Sequence, residues 1–113
     1  MTDLSSLVAK LEAATVPTRE LFDEIGRAIE SADSKFSLFR FHQLLGADAF
    51  LEAAIMLVPD GLPWMVRFSQ PWDAHHPYFA AYVQRKENDQ EDAVCRTPAL
   101  ALCIAALKAR SKA

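Results

Sequence analysis

Glycine is scarce in this chain: three in 113 residues, at Gly26, Gly46 and Gly61. They lie too far apart to build a dinucleotide fingerprint or a Walker loop, because both need several glycines within one turn. Cysteine is equally sparse. Cys95 and Cys103 allow one bridge at most, which is no disulfide framework, so reduced and buried thiols are the expectation. Positive charge is also in deficit: 12 Lys and Arg against 15 Asp and Glu give −3. Affinity for phosphates needs a basic footprint, and a mildly acidic chain does not favour nucleic acid as partner. Long apolar runs are missing too. The longest, Pro98–Leu107, is about half the ~20 residues that span a bilayer. The first ten residues carry Asp3 and no basic region ahead of an apolar stretch, unlike a signal peptide. The expectation is a cytoplasmic protein with no membrane association.

The composition itself, 51% hydrophobic and 24% charged, is that of a soluble globular domain. A chain of this length forms one domain, spanning residues 1–113, and buries enough surface for a core without staples. Along it, Leu4, Leu7, Val8 and Leu11 keep helical spacing in a first helix capped by Asp3 or Ser5 and ending near Ala14. Thr18 caps a second, Thr18 to Ser31, with Leu21, Ile25, Ala28 and Ile29 as its buried stripe. Gly26 inside that helix marks close packing or a tolerated weakness.

From Ala32 to Leu45 the residues Phe36, Leu38, Phe39 and Phe41 show no clean period, which leaves a short strand or a packed connection open. After Gly46, a helix boundary, Ala47, Phe50, Leu51, Ala54, Ile55 and Val58 predict a strong helix, ended by Pro59-Asp60-Gly61 with Gly61 at positive φ. Trp64, Val66 and Phe68 alternate with Met65, Arg67 and Ser69 in a first strand, and Tyr78 to Arg85 reads as a second. The charged stretch Lys86 to Asp92 reads as a solvated turn or loop. Thr97 as N-cap and Pro98 as first residue open a final helix to about Arg110, with Lys108 and Arg110 at the negative end of its dipole. That helix is apolar on nearly all sides, so it is sandwiched between layers or shared with another subunit. The expected class is α+β: a small antiparallel sheet packed with helices in an α/β/α-type sandwich, ordered α-α-(β)-α-β-β-α.

Two blocks, Phe50–Trp64 with its Leu57-Val58-Pro59-Asp60-Gly61 turn, and Thr97–Leu107, resemble the phage ABA sandwich domain family. Leu11-Glu12-Ala13-Ala14 and the acidic second helix follow the same order. The resemblance implies an α/β sandwich found in phages and prophage regions of bacterial genomes. It implies no activity and carries over no catalytic residue.

Three groups of residues are candidates for chemistry. Asp73, His75 and His76, with His42 and Cys95 elsewhere, are zinc-ligand types, but the spacing supplies only one end of a metal motif. Adjacent histidines on an extended segment point oppositely, so Asp73 and His75 converge more readily than His76. A surface loop is the simpler reading, and no metal or cofactor is expected. Cys95 just before the Thr97 cap is a candidate nucleophile, because a helix N-terminus lowers a thiol pKa; it needs His75 or His76 as base. The bland alternative is a small apolar residue closing the last strand. Carboxylate pairs such as Asp23 and Glu24, or Glu91 and Asp92, are ordinary solvated charges.

Arg67, Arg85, Lys86 and Arg96 are candidates for a basic edge that grips nucleic acid. A double-stranded RNA-binding module, however, needs lysines where this chain reads Thr97-Pro98-Ala99-Leu100. Trp72, Tyr78, Tyr82, Phe36 and Phe39 are core or loop cover, or a protein interface if exposed together. The preferred functional expectation is a non-enzymatic accessory or interaction module, self-associating through the C-terminal helix or binding another protein. A small metal-dependent or cysteine-based enzyme using Asp73, His75, His76 and Cys95 is the alternative, and nucleic-acid binding the second.

Overall fold

The computed structural model describes residues 4–69, 78–86 and 89–111. Four helices come first: α1 (Leu4–Ala13), α2 (Arg19–Ala32), α3 (Leu38–Gly46) and α4 (Phe50–Leu57). Three strands follow, β1 (Trp64–Ser69), β2 (Tyr78–Lys86) and β3 (Asp89–Cys95), and then α5 (Pro98–Ser111). The strands form one antiparallel sheet in the order β1-β2-β3. This is the expected α+β class with helices packed against an antiparallel sheet.

The local signals explain most element ends. Thr18 Oγ1 accepts from the Leu21 N–H at 3.2 Å, and Thr97 Oγ1 from the Leu100 N–H at 3.1 Å, so both expected caps form. Gly61 takes φ +81°, and the Leu62 N–H reaches the Pro59 carbonyl, closing the turn between α4 and β1. Three features depart from the sequence reading. The segment given as strand or connection is the helix α3, capped by Ser37, whose hydroxyl accepts from the Arg40 N–H. Its stripe is Leu38, Phe41 and Leu45, while Phe39 points outward and hides the period. The helix after Gly46 starts only at Phe50, because Asp48 takes a left-handed φ of 58° and separates α3 from α4. The charged stretch taken as a loop supplies β3, where Ala93 and Cys95 turn inward and Asp92 and Val94 outward; ladder pairing with β2 outweighs the weak strand preference of its acidic residues.

The layers are set by α5. One of its sides packs on β2 and β3 and the other on α1 and α4; its contact with β1 is slighter. Every residue from Ala99 to Leu107 is buried, and Ala109 with them. Of the two readings open for an all-round apolar helix, the structure is the sandwiched one. Burial inside a single chain removes the reason for placing a subunit interface on α5. Both cysteines are free and buried, and burial pushes the Cys103 thiol far up from its ordinary value.

Gly26 is a site of close packing. A Cβ built there would lie 2.7 Å from two ring atoms of Phe41, so the missing side chain lets the α3 ring rest on the α2 backbone. Phe22, on the same helix, lies parallel to that ring at 6.4 Å, and Phe36 and Phe50 complete an aromatic cluster around the pair. Gly26→Ala therefore gains up to ~1 kcal/mol of helix propensity and loses ~1–3 kcal/mol to overpacking. Urea unfolding is expected to show a net loss of up to about 3 kcal/mol, partly recovered when Phe41→Leu is added. A single variant more stable than the parent would contradict the packing argument.

Candidate functional site

The sheet has two unlike faces. Val66, Phe79, Ala81, Val83, Ala93 and Cys95 turn toward the helices, and all of them are buried or packed on the core. Met65, Arg67, Ala80, Tyr82, Asp92 and Val94 line the other face, where they bound a shallow groove of about 420 Å³. Among the described residues no helix covers this groove. Met65 is 46% exposed there and Val94 60%.

On the helix side, Trp64 is 41% exposed and Phe68 58%, because α5 sits over β2 and β3 and leaves the outer strand partly bare. Phe68 has an edge contact with Phe79, the ring centroids 5.5 Å apart. The strand reading identified the Trp64, Val66, Phe68 face as aromatic and aliphatic. That the face stays exposed depends on where α5 lies, which the alternation does not encode.

Of the residues singled out for chemistry, the two that the structure describes lie on different elements, His42 on α3 and Cys95 on β3. Asp73, His75 and His76, and Trp72 with them, lie outside the described residues. Cys95 is buried on the helix side of the sheet, its Sγ 3.9 Å from the Leu11 carbonyl oxygen, which suits the reading of a small residue closing the strand rather than a nucleophile in open solvent. His42 is paired through Nε2 with Asp23 Oδ1, and Asp23 Oδ2 accepts from Arg27 Nε at 3.0 Å. This pair ties α3 to α2. No group of three or more His, Cys, Asp or Glu capable of holding a metal occurs among the described residues.

The basic residues do not gather either. Register places Arg96 beyond the Phe79–Cys95 end of the β2–β3 ladder and Arg85 near the opposite end, beside Lys86–Asp89. Arg67 stands on the groove face of β1. Of the aromatics, Phe36 is buried, Tyr82 half-buried in the groove and Phe39 75% exposed on α3, so these three form no common patch. The side chain of Tyr78 lies outside the described residues.

One polar hub joins residues far apart in the sequence. Arg110 Nε donates to the carbonyl of Leu57, the last residue of α4, and Nη1 lies 3.3 Å from Asp33 Oδ2 at the end of α2. The N–H of Lys35 and then Arg110 hold the Asp33 carboxyl below its ordinary value. Arg110 so satisfies a carbonyl that a helix end leaves without an internal partner and joins three helices. The only sequence signal was its favourable place in the last turn of α5.

No family model matches the chain, and no curated protein or solved structure matches it either. No helix among the described residues is long and apolar enough to cross a membrane.

The hydrogen bond that Asp23 accepts from Arg27, with the one it accepts from His42, holds its carboxyl below its ordinary value of 3.8, against an opposing effect of burial smaller than that of Arg27. A lowered carboxylate pKa adds stability that is complete above the ordinary value and lost as pH falls through the lowered one. Asp23→Asn is thus expected to be less stable than the parent at pH 7, with the gap closing below about pH 4. Urea titrations at several pH values check it; a gap that widens in acid would reverse the assignment.

Proposed function

We propose that this chain is a non-enzymatic protein-interaction module whose working surface is its sheet. The observation that carries the reading is the cluster of exposed apolar side chains on the sheet: Trp64 and Phe68 on its helix side and Met65 and Val94 on its groove side, whereas Val16, Phe39 and Leu51 are exposed singly on other elements. Contiguous exposed apolar patches mark interaction sites more often than single exposed side chains do. The groove adds shape, with Arg67 and Asp92 at its rim to orient a partner. The titratable groups brought together by the described residues act as ties between helices, as Asp23 with His42 and Asp33 with Arg110 do.

The resemblance of Phe50–Trp64 and Thr97–Leu107 to the phage ABA sandwich domain family extends the proposal to origin: an accessory protein of a phage or prophage. Those two blocks are its support.

The test is selective loss of partners. Met65→Asp and Val94→Asp alter exposed groove positions and are expected to retain the far-UV spectrum and unfolding midpoint of the parent. Cross-linking followed by purification from the source cells should recover a defined partner with the parent chain and at least tenfold less with the double variant. Equal recovery would overturn the assignment of the sheet as the working surface.

A further inference from the structure

We infer that β1 is a self-pairing edge: two copies of this chain join through antiparallel β1 strands into a continuous six-stranded sheet. The inference rests on the sheet as interaction surface and names the occupant of one edge.

The backbone fixes which groups are free to pair. The Gln84 N–H donates to the Pro63 carbonyl at 2.9 Å, and the β1–β2 register pairs Trp64 with Val83. In an antiparallel ladder hydrogen-bonded and non-bonded pairs alternate, so Pro63, Met65, Arg67 and Ser69 direct their backbone groups to β2. Trp64, Val66 and Phe68 direct theirs outward, to an edge that no described strand occupies.

A two-fold axis through Val66 satisfies all three at once. Val66 then pairs with Val66 of the second copy, and Trp64 with its Phe68, each as a hydrogen-bonded pair. The same register sets Trp64 beside the other copy's Phe68 on the helix side, twice, where α5 leaves room. Aromatic cross-strand pairs are among the more favourable ones. On the groove side Met65 stands opposite Arg67, so no like charges meet. Shifting the axis to Arg67 would put two arginines face to face, which is unfavourable.

The opposite edge is built differently. β3 carries Asp89, Glu91 and Asp92 in its sequence, the charged kind of edge that resists pairing with itself. β1 has one charge in six residues, Arg67. An isologous β1 pair closes as a dimer, whereas β1 on β3 would run on as an open filament.

Sedimentation velocity of the full chain, over about 1 to 200 μM, is expected to show a concentration-dependent species of twice the 12.6 kDa monomer mass. Val66→Pro removes the central outward N–H without touching the β2 ladder, and Trp64→Lys with Phe68→Lys places charge on exposed positions. Each is expected to shift the dissociation constant upward at least tenfold while circular dichroism stays that of the parent. Register is read by oxidising Met65→Cys and Arg67→Cys chains: an equimolar mixture should cross-link efficiently and either chain alone poorly. A strict monomer at the highest concentration, a dimer unaffected by the lysine pair, or efficient cross-linking of Arg67→Cys alone would each overturn the pairing. A strict monomer leaves the partner-recovery experiment to decide the broader reading, so the two failures are distinguishable.

Discussion

The burial of α5 on every side is the constraint from which the rest of the architecture follows. An ordinary surface helix needs one covered stripe, but here the sheet lies on one flank and α1 and α4 on the other. Alanines at positions 99, 101, 105, 106 and 109 allow close approach, and Leu100, Leu102, Ile104 and Leu107 fill the spaces between layers. The helix contributes almost no polar surface until Lys108. Its orientation is held instead near its C-terminal end, by Arg110, while the Thr97 cap closes its first turn.

Arg110 shows how a nearly featureless helix obtains a defined position. Apolar packing is non-directional, so an Ala-rich cylinder has several rotations and slides of similar energy. A guanidinium bonded to the Leu57 carbonyl and to Asp33 selects one of them, since both acceptors sit at fixed helix ends. The Asp23 pair with His42 and Arg27 acts similarly between α2 and α3, and the Gly26 contact fixes their separation. Specificity of arrangement thus comes from a few polar and steric contacts around an apolar centre.

Much of this was legible from residues alone, where one signal dominated. Thr97-Pro98, Thr18 and Gly61 each mark an element end through backbone chemistry that acts locally, and each behaves as that chemistry requires. The segment 32–45 was not legible because Phe39 faces solvent and Leu38, Phe41 and Leu45 face the core; four bulky residues in a row of six blur a helical stripe. β3 was hidden for the opposite reason. Its acidic residues resemble a loop, and only the inward Ala93 and Cys95, too small to give a strong period, betray the strand. For the sheet surface, alternation identified the faces of β1, but exposure was decided by a helix more than thirty residues away in sequence.

That helix also accounts for the asymmetry of the sheet. One helix is narrower than three strands, and α5 lies over β2 and β3, so β1 receives the least cover. The strand nevertheless has a tryptophan and a phenylalanine on the face that α5 fails to reach. If cover by α5 were all that β1 had to satisfy, small or polar residues at positions 64 and 68 would serve as well and would protect the edge from unwanted pairing. Aromatic side chains there are what the proposed β1 pairing would bury. The same off-centre packing that completes the core thereby leaves β1 the strand with the most exposed apolar surface among the described residues of the sheet, which is why the proposed pairing is placed there.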